Sequence, residues 1–268
     1  RDYYASRGLG DVYKRQLSSS PGSNLNAILN STMKKLLTGI LILGAVAMAA
    51  TAAAPQPAKK AEPQAPDFEQ IKADVTNPAS PYYYPKLMER YERNETIMNL
   101  NDYRHLYYGY LFQEDFNPYR NNDILARNEA LYYKDKHTRA ELDSIISYAK
   151  EAIADNPFDL NQMNFLIYAL RERGKVNLAS IWQYRLNHLL QTIASSGTGL
   201  DPDNAWYVIN PRHEYNLVNF QNAVVKDHQY QEPYFDRIDV EKKNGKETAT
   251  YYFNIRNLLE EYYRKFPE

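Results

Sequence analysis

Thr138-Arg139-Ala140-Glu141, then Leu142, Ile145, Ile146, Ala149 and Ile153, then Asn156-Pro157, is the stretch on which the fold reading turns. Thr138 and Glu141 form a capping box, in which hydroxyl and carboxylate each accept from an amide left unpaired at a helix start. The apolar residues behind them recur at intervals of three and four, one stripe of a helix. A residue before proline disfavours helical backbone, so Asn156-Pro157 ends it. Leu160–Arg173 repeats the pattern with Met163, Leu166, Ile167 and Leu170, and Gly174 suits the left-handed residue that closes a helix. Leu178–Ile193 carries a third stripe: Leu178, Ile181, Trp182, the Arg185 stem, Leu189 and Ile193. The run Ser195-Ser196-Gly197-Thr198-Gly199 then reads as a flexible break.

Upstream, Asp67–Val75 reads as a short helix capped by Asp67 and ended by Pro78 and Pro81. Pro85 suits a first helical position, with Lys86–Arg93 behind it. A further helix, capped by Asn101 or Asp102, carries Tyr103, Leu106, Tyr107, Tyr110 and Leu111 on one face and stops at Asn117-Pro118. Downstream, Ala205–Ile209 is a short strand run, and Asn210-Pro211 starts a helix with Tyr215, Leu217, Val218 and Phe220. Tyr234–Glu241 and Lys246–Ile255 flank Asn244-Gly245, a hairpin signal. Ile238 and Val240 share one face; Ala249, Tyr251, Phe253 and Ile255 share another. Leu258, Leu259, Tyr262 and Phe266 mark a last helix. The expected fold is α+β: one domain over residues 67–268, mainly helical over 67–199, with a small antiparallel sheet and a terminal helix over 200–268.

The three helices of residues 138–194 resemble the antiparallel pairs of tetratricopeptide-like repeats, with Ala152 and Asn156-Pro157 matching the end of such a repeat. The Trp-x2-Leu-Gly signature and a third copy are missing, so a plain helical hairpin with one added helix stays open.

The first methionine is Met33. Residues 1–32 show no apolar period and read as translated upstream sequence, outside the fold. Lys34-Lys35, the apolar run Leu36–Ala47 and the small residues that follow have the order of a secretory signal peptide over 33–52, with Ala50-Thr51-Ala52 as the cleavage pattern. The apolar run falls short of the ~20 residues that span a bilayer, and no later stretch reaches that length. Residues 53–66, with Pro55, Pro57, Pro63 and Pro66, form a tether. The chain has no cysteine, so disulfides, thiolate metal sites and a lipidated cysteine are excluded. The expected location is the periplasm or the exterior of a bacterium, as a non-lipidated protein with no membrane span after signal cleavage. Residues 53–268 carry 26 Lys+Arg against 31 Asp+Glu, a net charge of −5, so nothing favours a nucleic-acid partner.

Tyrosine is over-used, with 25 in the chain. Its ring and hydroxyl suit either a wet core edge or a stacking platform. Tyr103, Tyr107 and Tyr110 are the candidates for such a platform, while Trp182 and Trp206, the two tryptophans, sit in periodic apolar settings. Arg212-His213-Glu214 is the sharpest polar cluster. His213 there is a candidate general base and Glu214 its companion, in a first turn whose positive end lowers a histidine's pKa and stabilises a carboxylate. The partner such a base would need is a tyrosine or Asp236. No nucleophile elbow, phosphate loop or dinucleotide fingerprint is present. His105, His137, His188, His213 and His228 stand at no metal-ligand spacing, so no metal or cofactor is expected from motifs, and only a metal site assembled from distant residues stays open.

Four pieces carry a resemblance: Asp102–Tyr110, Phe116-Asn117-Pro118-Tyr119, His213–Leu217, and Tyr234–Val240 with Tyr252–Ile255. With them the chain resembles a domain-of-unknown-function family of exported proteins from Bacteroidota. The resemblance spans most of 67–268, and implies export and a mixed helical and sheet domain, with no activity and no catalytic residues. The functional expectation is an exported, non-enzymatic interaction or scaffold module with a protein or peptide partner. The alternatives are a hydrolase with a dispersed site around His213 and Glu214, and a tyrosine-based glycan-binding module.

Overall fold

The computed structural model describes residues 62–120, 128–132, 134 and 136–267. The expected upstream segment, the signal peptide and the linker up to residue 61 lie outside the described residues.

Helix α1 (Phe68–Thr76) is capped by the Asp67 carboxylate, which accepts from the Gln70 amide. Helix α2 (Tyr84–Glu92) has Pro85 in its first turn. Helix α3 (Leu100–Gly109) is capped by Asn99, not by Asn101 or Asp102. The Asn99 side chain accepts from both of those amides, and Asp102 closes the capping box and takes Arg90 at 3.1 Å. A single turn, α4 (Glu129–Tyr132), precedes α5 (Arg139–Asp155), which starts with the expected Thr138–Glu141 box. The Asp159 side chain caps α6 (Leu160–Glu172), and Gly174 follows at φ +71°. Helix α7 (Val176–Ala194) completes a stack of three consecutive helices joined by short turns.

The expected flexible break after α7 is instead a packed turn. Ser196, Gly197 and Gly199 are buried. The Trp206 indole donates to the Gly197 carbonyl at 2.9 Å, the Gly199 amide donates to the Asn204 carbonyl at 2.8 Å, and the Tyr252 amide donates to the Gly199 carbonyl at 2.9 Å. Residue 64, expected within the tether, is also docked. Its amide donates to the Ser195 carbonyl at 2.9 Å, and Arg104 donates to its carbonyl at 2.8 Å.

The sheet follows: β1 (Trp206–Tyr207), then helix α8 (Arg212–Phe220), β2 (Ala223–Gln231), β3 (Phe235–Lys242) and β4 (Thr248–Asn254), closed by helix α9 (Arg256–Lys265). The strand order is β1-β4-β3-β2. It is mixed rather than wholly antiparallel, because β1 runs parallel to β4, pairing Trp206 with Phe253. The expected hairpin is β3–β4, with Gly245 at φ +69°. Strand β2 had no counterpart in the sequence reading. Its pairing with β3 slips between Val225 and Asp227, so one extra residue, Lys226, is accommodated. A bulge of this kind reverses the alternation of the strand beyond it. Val225 pairs with Val240, His228 with Ile238 and Tyr230 with Asp236, so all six share the inner face, which the bulge alone gives to His228.

Among the described residues, nine α-helices and this four-stranded sheet make an α+β fold whose buried apolar residues, from Ile71 of α1 to Leu259 of α9, form one connected core. No helix among them is long and apolar enough to cross a membrane.

Gly199, at φ +69°, lies against Trp206 in the α7–β1 turn: a Cβ there would stand 2.5 Å from the Trp206 ring. Gly199→Ala is expected to destabilise the fold by roughly 2 kcal/mol or more, through both backbone strain and overpacking. Denaturant unfolding at neutral pH measures it; a change under ~0.5 kcal/mol would show that the turn does not constrain the fold.

Candidate functional site

Four consecutive residues at the start of α8 divide between two environments, the helical layer and the sheet. His213 faces the helical layer. Its Nε2 lies 2.8 Å from the Phe158 carbonyl and its Nδ1 2.7 Å from the Tyr107 hydroxyl. A carbonyl only accepts, so Nε2 carries the proton and the Tyr107 hydroxyl donates to Nδ1. Burial pushes the imidazole down to about 3, well below the range in which it acts as a base near neutrality. Asn216 donates to the Asn161 side chain of α6 at 2.8 Å.

Glu214 and Tyr215 face the sheet. Glu214 is fully buried, and among the described residues no hydrogen-bond donor reaches either of its oxygens. Asp236, on the inner face of β3, is equally buried. His228 of β2 joins them: its Nε2 lies 3.2 Å from Asp236 Oδ1 and 3.7 Å from Glu214 Oε2. One ligand atom from each of the three residues lies within 4.8 Å of the others. Burial, then the neighbouring Asp236 carboxylate, hold the Glu214 carboxyl well above the usual range, which overrides the stabilisation expected from its place in a helix first turn. The Tyr215 hydroxyl sits 2.7 Å from His228 Nδ1, on the far side of the ring. Tyr119, in the loop after α3, completes the surround: burial first, and then Asp236 among its charged neighbours, push its phenol up. Its hydroxyl is shut off from solvent and has no hydrogen-bond partner among the described residues.

Two carboxylates facing each other away from water stay together only with positive charge between them, a shared proton or a cation. Two oxygens and one imidazole nitrogen suit a borderline or hard divalent ion such as zinc or manganese. Donors around zinc stand ~2.0–2.2 Å from it, and so about 3.3–3.6 Å from one another in a tetrahedral site; a bound ion would draw these three atoms, now within 4.8 Å of one another, closer together. Glu214, His228 and Asp236 are the residues that can hold such an ion.

His213 and Glu214, adjacent in sequence, therefore do not form one site: the histidine joins Tyr107, whereas Asp236, expected as a partner for His213, stands beside Glu214 and His228 instead. Tyr103, Tyr107 and Tyr110 are core residues, 2%, 0% and 6% exposed, and none presents its ring to solvent. His228 was missed because the bulge hides its face. Asp236 carried a readable signal, since its alternation with Ile238 and Val240 sets a charge on an apolar face.

His213 has a folded pKa below its unfolded one. Its contribution to stability is complete above about pH 6.5 and is lost as pH falls from 6.5 towards about 3, where the folded state also takes the proton. His213→Gln is expected to weaken the fold at neutral pH yet to lose less stability over that interval than the parent. Denaturant midpoints across the pH series measure it, and equal acid slopes in the two proteins would sink the assignment.

Comparison with curated proteins and with solved structures finds no match. The model of one family, described as a domain of unknown function (DUF4919), matches residues 69–264. That span is most of the described domain and includes all three donors, and the chain belongs to this family.

Proposed function

We propose that the protein is an exported, non-enzymatic interaction domain that holds one divalent cation between α8 and the sheet. The observation that carries this reading is the convergence of Glu214, His228 and Asp236, whose ligand atoms lie within 4.8 Å of one another. A catalytic metal keeps an open position for water or substrate, whereas a structural one is closed by the protein. Here the Glu214 and Asp236 side chains are 0% exposed and that of His228 11%, which favours the closed, structural role. A cation at this point would tie three elements: α8, the edge strand β2 and β3. The leader-like order of residues 33–52 supports export, the resemblance to Bacteroidota proteins supports the same compartment, and the tetratricopeptide-like stack α5–α7 supports a protein or peptide as partner.

The hydrolytic alternative retains Glu214 but loses His213 as its base, and it needs a coordination position open to substrate. Hydrolysis of model esters or glycosides by the zinc- or manganese-loaded chain would favour it over the structural role.

The test is cation binding by the purified mature chain. One equivalent of zinc or manganese is expected to bind. At free ion ~100 times Kd, the gain of ~2.7 kcal/mol should raise Tm by roughly 5–10 °C. Glu214→Gln with Asp236→Asn is expected to abolish both effects. If calorimetry and elemental analysis find no stoichiometric zinc, manganese, magnesium or calcium, the reading is wrong.

A further inference from the structure

The imidazole of His228 is bracketed by two consecutive residues of α8. Glu214 faces Nε2 at 3.7 Å and Tyr215 faces Nδ1 at 2.7 Å. Successive helical residues diverge by about 100°, so one turn of helix can reach both edges of a ring that lies across it. The Tyr215 ring stands edge-on to the imidazole, at 64° and 5.7 Å between centroids. The bulge at Lys226 fixes the other side, because it turns His228 onto the inner face beside Asp236.

Resting on the cation reading above, we propose that Tyr215 is the positioning residue of this centre, and that its hydroxyl lets the His228 tautomer follow the occupancy of the site. Without a cation, the nearest group facing Nε2 is Asp236 Oδ1, a carboxylate oxygen, which accepts. Nε2 then carries the proton, 3.2 Å from Asp236 Oδ1, and Nδ1 accepts from the Tyr215 hydroxyl. With a cation between the carboxylates, Nε2 must present its lone pair to the metal. The ring proton then belongs on Nδ1, which donates to the Tyr215 oxygen, while the phenolic hydrogen turns away. The exchange moves one proton between the two ring nitrogens.

The chemistry requires this residue type. The usual outer partner of a ligating histidine is a carboxylate or a backbone carbonyl, which accepts only and fixes a single tautomer. A phenol both donates and accepts, so it serves the ring in either state. The carbonyl of Tyr215 is itself held by the Asn219 side chain at 3.0 Å, which keeps the α8 backbone in place beside the ring.

The experiment is nitrogen NMR of the five histidines in the full mature chain, with and without zinc ions, His228 being assigned through a His228→Gln variant. The expected result is the Nε2–H tautomer of His228 without zinc and the Nδ1–H tautomer with it. In parallel, Tyr215→Phe is expected to bind zinc 10–100-fold more weakly, with its zinc-free Tm showing that the fold is kept. Zinc bound with no change of tautomer, or bound as tightly by Tyr215→Phe as by the parent, overturns the tyrosine proposal and leaves the cation reading standing. A parent chain that binds no zinc and none of the other cations overturns both. The NMR measurement on the parent decides the matter even if the tyrosine variant fails to fold.

Discussion

A carboxylate cut off from water has to be given a proton or a counter-charge, and this protein places two such groups against each other at the joint between its helices and its sheet. Glu214 and Asp236 are both fully buried, and the His228 imidazole lies beside each of them. Apolar residues at these positions would have closed the interface at no electrostatic cost. The acids carry a requirement that apolar packing does not: whatever neutralises them must sit at one defined point, and the three elements that supply the donors are registered relative to that point.

The start of α8 is the place where this matters, because it joins the layers. His213 bonds to Tyr107 of α3 and to the Phe158 carbonyl between α5 and α6, Asn216 bonds to α6, and Glu214 and Tyr215 turn to the sheet. The same turn therefore presents a neutral, sealed imidazole on one side and an acid–imidazole cluster on the other. Burial accounts for the difference in outcome. For His213 both ring nitrogens are satisfied by neutral partners, so desolvation keeps the ring uncharged. For Glu214, desolvation and the facing acid favour a bound proton or an ion.

Much of the frame was legible in the chain. Asp67, Thr138 with Glu141, Asn156-Pro157 and Gly174 act through neighbours within four residues, and the structure uses each as local chemistry requires. The β3–β4 hairpin followed from alternation about Asn244-Gly245. What failed to read did so for non-local reasons. Ser195–Gly199 has the composition of a loose linker, yet Trp206 and Asn204 pin it from beyond its own neighbourhood. The cap of α3 was displaced to Asn99 because Asp102 serves as the far member of the box. Strand β2 has the interrupted alternation Val225-Lys226-Asp227-His228, which looks irregular until its partner strand shows where the extra residue goes.

The sequence alone determined the helices, the hairpin, the α+β class and the absence of cysteine chemistry, because each depends on spacing or composition along the chain. It also placed Glu214 in a polar cluster and named Asp236 as a possible partner for the neighbouring His213. The tertiary structure alone decided that these two acids meet, that His228 rather than His213 joins them, and that Tyr215 stands behind its ring. The physical reason is that the direction of His228 is set by a single extra residue in an edge strand. Pairing energy with β3 fixes where that residue is absorbed, and no pattern within β2 records it.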